Sequence, residues 1–313
     1  MAKRIIAVIG ATGAQGGGLC DAILNDPNGE FSCRAVTRDP SKEKAQALAA
    51  RGAEVVRADL DDVDSLRAAF AGAYGIYCVT NFWEHFSAEK EKQQARNLAE
   101  AARASGAEHV IWSTLEDTRA LMSPDDQRMP MLQTHYRVPH FDAKAEADAF
   151  FEGVPTTFLV TSFYWDNLYA FGVVPQKGDD DTHTWALPMS DKRLAGIAAE
   201  DIGKVAYGIF KGGKRYVGQT VGIASEFLTV TEMGDKLARA KGISSVTHYD
   251  VSADDYRAFG FRGADEMGNM IQVYRDFEEE VVGRRDPALA RQLAGSLLTF
   301  DEFLEKYKDR IQL

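Results

Sequence analysis

The chain has 313 residues, of which 45% are hydrophobic and 27% charged. That composition buries a core, and the length suits two domains or one α/β domain with a smaller lobe. A net charge of −11 and a pI near 5.1 oppose a phosphate backbone, so direct nucleic-acid binding is not expected. Cys20, Cys33 and Cys78 stand far apart among apolar residues, a pattern of reduced core thiols in the cytoplasm rather than a disulfide framework. The opening MAKRIIAVIG carries an apolar run too short for a signal segment, and no membrane span is visible. Six histidines without HxxxH, HxH or CxxC spacing predict no bound metal.

In chain order, an apolar run at 4–9 is followed by a glycine cluster and by Leu19, Cys20, Ile23 and Leu24 at helical spacing. Further apolar runs at 33–37, 54–58, 75–80 and 109–114 each precede polar residues and a helix-like stretch. Five strand-then-helix units predict an α/β fold, a doubly wound parallel sheet with helices on both faces. Gly52, Gly72 and Gly106 end Ala-rich helical stretches and are expected as left-handed caps. The segment 118–139 has no clear period and the length of an active-site lid. Beyond it are predicted a helix at 140–151, a strand at 157–161, an acidic loop at 179–181, a strand at 194–198 and helices at 200–210 and 228–241. A boundary near Thr156 separates 1–156 from a mixed segment, 157–313. This second part is expected to add late strands to the sheet and to form a smaller C-terminal α/β lobe for a substrate or partner.

The glycine cluster carries the strongest chemical signal. Gly10, Thr12, Gly13, Ala14, Gln15 and Gly16 lie between the first strand and the first helix, where a Rossmann-type fold places its dinucleotide fingerprint. Glycine permits the tight turn and close approach to a pyrophosphate, whose charge is met by amides at the helix N-terminus. Gly17 and Gly18 extend the run, although glycine costs up to about 1 kcal/mol in a helix, so a plain turn gains little from them. The second strand ends at Arg38, where an NADP site places an arginine against the 2′-phosphate. Asp39 is the position of an acid in an NAD site, but Asp39-Pro40 also reads as a helix cap followed by proline, which would occupy the carboxylate. Lys42 adds a second positive charge. NADP(H) is the expected cofactor of residues 1–156.

The sequence resembles the NmrA-like family of atypical short-chain dehydrogenases/reductases, and within it the redox-sensor branch. The resemblance spans nearly the whole chain and rests on GATGAQGG from Gly10, VTRDP from Val36, VTNFWE from Val79, HFDAK from His140 and FYWDNL from Phe163. It implies that Asp59 and Leu60 flank the adenine, that Thr80, Asn81 and Phe82 line the cofactor cleft, and that Lys144 approaches the nicotinamide ribose. Phe163, Tyr164, Trp165 and Asn167 would close the nicotinamide end. The Tyr-x-x-x-Lys pair of active short-chain reductases is His140-x-x-x-Lys144 here, one helix face with no tyrosine acid. Lys144 is the candidate catalytic residue and His140 a weaker one.

Two readings fit these residues. The first is an NADP(H)-responsive regulator whose occupancy alters a surface seen by a protein partner, which requires that the ligand prefer one state. The alternative is an NADPH-dependent reductase of a quinone, enone or other planar carbonyl compound, with Lys144 positioning the cofactor and polarising the substrate. Phe82-Trp83 and Phe163-Tyr164-Trp165, both following strands, would frame a flat molecule.

Overall fold

The computed structural model describes residues 2–123, 125–178 and 182–313; the acidic loop expected at 179–181 and Pro124 lie outside them. Seven strands form the main sheet: β1 (Arg4–Ile9), β2 (Phe31–Thr37), β3 (Glu54–Arg57), β4 (Gly75–Cys78), β5 (His109–Thr114), β6 (Thr156–Val160) and, later in the chain, β11 (Thr220–Gly222). Their spatial order is β11-β6-β5-β4-β1-β2-β3 and every pairing is parallel. All carboxyl ends therefore lie along one edge, and the order reverses between β1 and β4, where such sheets open their ligand crevice.

Short apolar strands buried on both faces need helices on both sides. On one face α1 (Ala14–Leu24) packs Leu19, Cys20 and Ile23 against Ile202, Ala206 and Phe210 of the helix Ala199–Gly212. On the other, Leu98 and Ala102 of the helix Ala88–Ser105 meet Leu66 and Phe70 of Val63–Phe70 over Trp112 of β5. The caps expected at Gly52, Gly72 and Gly106 have φ of +99°, +70° and +68°. The strands β6 and β11, both after residue 155, complete this sheet.

The chain after β6 also builds two small sheets. One pairs β7 (Phe163–Tyr164), β10 (Leu194–Ile197) and β12 (Glu226–Leu228). The other pairs β8 (Gln176–Lys177), β9 (His183–Ala186) and β13 (Val246–Tyr249), and these last strands are too short to show a period in sequence. A separate core of Trp165, Trp185, Leu237, Phe300 and Phe303 lies beneath them.

The described part of 118–139 is fastened. Asp142, fully buried, accepts from the Thr118 amide and hydroxyl at 2.8 and 2.7 Å and from the amides of Arg137 and Val138 at 2.8 and 3.1 Å. Asn269 donates to the carbonyls of Pro130 and Arg137 at 2.9 and 2.6 Å. Buried hydrogen bonds of this kind fasten the segment to the helices Pro139–Ala147 and Ala264–Asp276. Among the described residues no helix is long and apolar enough to cross a membrane.

Candidate functional site

The loop after β1 is shaped so that only glycine fits it. Gly10 has φ +64°, a left-handed conformation that favours glycine. A Cβ on Gly16 would stand 2.4 Å from the Gly10 carbonyl oxygen and 2.7 Å from that of Ile9, so the first turn of α1 presses directly on the end of β1. Gly13 caps the helix without a side-chain hydrogen bond, Ala14 opens it and Thr12 is half-buried. Amides at that N-terminus have no side-chain cap and face the crevice, a cradle suited to a pyrophosphate. Gly18 serves the packing of helices instead. A Cβ there would lie 2.3 Å from the Glu200 carbonyl oxygen, and one on Gly203 would lie 2.0 Å from the Leu19 nitrogen. Gly18 and Gly203 thus let α1 cross the helix Ala199–Gly212 at backbone contact.

On the β2–β3 side of the edge, Arg38 leaves the end of β2 and forms a forked pair with Glu84 of the short helix Phe82–His85, Nη1 donating to Oε2 at 3.1 Å and Nη2 to Oε1. Both side chains face water. The expected helix cap at Asp39 is not formed: the helix runs Glu43–Ala50 with Lys42, exposed, as its N-cap residue. Asp39 instead accepts from the amide and hydroxyl of Ser41 at 2.9 and 2.6 Å, because a short acid before proline closes a local turn more readily than it reaches a helix three residues on. Those hydrogen bonds hold its carboxyl below the usual carboxylate range. The acid is engaged, as expected, but by a turn. Asp59, exposed, accepts from the Asp61 amide at 3.0 Å, and Leu60 is half-buried with its carbonyl receiving Asn97 at 2.7 Å.

On the β4–β6 side the groups are buried and paired. Thr80 is buried, Asn81 exposed, and Phe82 packs among Trp83, Phe86 and His140. Lys144, on the helix Pro139–Ala147, donates to Thr80 Oγ1 at 2.8 Å and lies 3.0 Å from Glu91 Oε1 and 4.9 Å over the Trp112 ring. Burial alone would raise the Glu91 carboxyl, but the Lys144 charge, with His85 and Thr80, outweighs it and holds the group at about 2. His140 is sequestered in the same helix: its Nδ1 and its amide both meet Glu266 Oε1, the latter at 2.8 Å, and its ring lies 5.0 Å from Trp83. Neither Glu91 nor Glu266 stands out in the sequence. Each sits on a helix far along the chain from its partner, and a buried carboxylate leaves no mark in a polar helical pattern. The Tyr136 hydroxyl meets Glu89 and Glu146 at 3.3 and 3.2 Å.

The aromatic stretch after β6 divides by alternation. Phe163 and Trp165, expected at the nicotinamide end, have their side chains buried in the C-terminal core, Trp165 against Phe300 and Phe303 at 5.2 and 5.7 Å. Tyr164, between them, is half-buried and receives a hydrogen bond from Gln15 Nε2, while Tyr77 donates to Gln15 Oε1. The strand's period of two turns every second side chain inward. Asn167 is half-buried at the start of Asn167–Ala170.

A glycine loop at the switch point of a seven-stranded parallel sheet, with charged and aromatic groups gathered along the same edge, defines a dinucleotide-binding type of architecture. The NmrA-like family matches residues 2–304, and the chain belongs to it. It is 27% identical over 297 residues to the NmrA-like family domain-containing oxidoreductase FrzB of Cladobotryum sp., covering 90% of this chain and 85% of that one. Its fold matches that of NmrA, a negative transcriptional regulator solved in complex with NADP, with a TM-score of 0.78, 22% identity and coverage of 98% and 95%. It likewise matches the Citrobacter sp. triphenylmethane reductase complexed with NADP(H), with a TM-score of 0.71, 18% identity and coverage of 97% and 99%.

Proposed function

We propose that this chain binds NADP(H) along the carboxyl edge of its sheet and acts as a regulator responsive to cofactor occupancy. The glycine cradle, whose Gly16 admits no Cβ, would receive the pyrophosphate; Arg38 and Lys42 would meet the 2′-phosphate; Thr80, Asn81 and Phe82 would line the cleft and Lys144 would approach the nicotinamide ribose. The cofactor, when bound, supplies hydride chemistry.

The observation that carries the regulator reading is the Lys144–Glu91 pair. A lysine acting as general acid must give up its proton, and here that would strand a fully buried carboxylate, a penalty of about 3–5 kcal/mol when one partner of a buried pair is lost. His140 is engaged by Glu266. Both candidate catalytic groups are thereby committed to the frame. The test follows NADPH absorbance with a panel of quinones and enones, with Lys144→Ala in parallel: cofactor binding without turnover is expected, and turnover lost in the variant would replace the regulator by a reductase.

One observation favours the reductase as a second reading. The Tyr164 phenol, which accepts from Gln15 in the first turn of α1, is a protonated hydroxyl beside the cradle with its own proton left to give. Turnover that survives Lys144→Ala and is lost in Tyr164→Phe would be its signature.

A further inference from the structure

We infer that Glu84 competes with the 2′-phosphate of NADP(H) for Arg38, so that the phosphorylated cofactor is recognised by exchanging an internal carboxylate for the ligand's phosphate and releasing the Phe82–His85 turn. This rests on the NADP(H) reading proposed above.

Both terminal nitrogens of the Arg38 guanidinium already meet Glu84 in the forked geometry that a phosphate would use. Asp59 and Asp61 add negative potential around the same arginine, and only Lys42 among the proposed phosphate contacts opposes it. A dianionic phosphate brought to the same fork of Arg38 would sit against the Glu84 carboxylate, and like charges at contact distance repel. The pair is exposed, with side-chain exposures of 64% and 44%, so its internal bond is weak enough to yield.

Glu84 is carried by a short helical turn. The turn Phe82–His85 is anchored by buried Phe82, ends at Phe86 with φ +55°, and places Trp83 against His140 at 5.0 Å and Phe171 at 6.2 Å. Phe171 is 61% exposed, so this aromatic chain runs from the arginine's partner to the surface. Oxidised and reduced cofactor carry the same 2′-phosphate. The exchange therefore reports NADP(H) against NAD(H), not the oxidation state of either.

The test measures, on the full chain, calorimetric affinities for NADP+ and NAD+ in the wild type and Glu84→Gln, and the tryptophan emission of the wild type and Trp83→Phe during the same titrations. Oxidised cofactors are used because they do not absorb the emitted light. Glu84→Gln is expected to tighten NADP+ about threefold, the range of an exposed ion pair, and to leave NAD+ unchanged, while NADP+ alone shifts the Trp83 emission. Unchanged or weaker NADP+ binding in Glu84→Gln would overturn the competition. Tightening without a Trp83 response would overturn the release of the turn. A wild type that binds neither nucleotide would fail differently, overturning the cofactor reading before any variant is compared.

Discussion

Arg38 and Glu84 meet in water, whereas Lys144 and Glu91 meet with side-chain exposures of 10% and zero. The two pairs stand on the same edge of one sheet, the first beyond β2 and the second beyond β4. An exposed pair contributes roughly 0–1 kcal/mol and exchanges partners easily. A buried pair adds little over an apolar substitute, yet is severely destabilising to break. The comparison teaches that the cleft has one side built to change partners and one built to hold still. Ligand recognition belongs to the first, and the frame that aligns the cradle belongs to the second.

The largest expected effect breaks the rigid side. Lys144→Met should lower unfolding stability in urea by about 3–5 kcal/mol by stranding Glu91, and Lys144→Met/Glu91→Leu should recover most of that. A loss under about 1 kcal/mol in the single variant would mean the pair is not part of the frame. The pH dependence follows from the same carboxylate. Its folded value of about 2 lies below an unfolded value near 4.3, so the wild type should hold this stability above about pH 4.5. It should lose up to about 3 kcal/mol as pH falls toward 2, a loss absent from the double variant.

A smaller effect separates the glycine at the helix crossing from Gly17, whose Cβ would meet no close neighbour. Gly203→Ala places a Cβ 2.0 Å from the Leu19 nitrogen and should cost about 1–3 kcal/mol by overpacking, with weaker NADPH binding as α1 is displaced. Gly17→Ala meets nothing nearer than 3.6 Å and should be neutral or stabilising by up to about 1 kcal/mol. Thermal melts of the two variants distinguish them; equal losses would contradict the close backbone contact at Gly203.

The smallest concerns Asp148, which accepts from Trp112 Nε1 and Thr114 Oγ1 at 2.8 and 2.7 Å and is pushed up by burial to about 6. Because its folded value is raised, its ionised form penalises the fold as pH climbs through about 4 to 6 and fully above that. Asp148→Asn keeps an acceptor and should stabilise the chain by about 1 kcal/mol at pH 7, with the gain vanishing below about pH 4. A gain that persists at about pH 3 would assign the effect to something other than ionisation.

What was legible in the sequence follows the same division. The cradle was readable because its demands are local: a strand, a left-handed glycine and a helix start occupy consecutive residues. Arg38 was readable by its distance from the glycines. Glu91, Glu266 and Glu84 were not assigned roles, since their partners lie on other elements and pairing across a fold leaves no periodic trace. That Phe163 and Trp165 are buried while Tyr164 between them is half-buried is not legible, because three adjacent aromatics look alike in sequence. The sheet of β8, β9 and β13 is not legible because strands of two to four residues show no pattern of their own, whereas the strand expected at 194–198 is β10 of the other small sheet.

The central claim is that the carboxyl edge binds a phosphorylated nicotinamide cofactor through Arg38. Calorimetric titration of the wild type and Arg38→Ala with NADPH and NADH tests it most directly. The account predicts that the wild type prefers NADPH and that the variant loses about tenfold or more for NADPH, the range of a charge-assisted bond, with NADH nearly unchanged. Equal losses for the two cofactors would contradict the 2′-phosphate contact, and a wild type that binds neither would contradict the site itself.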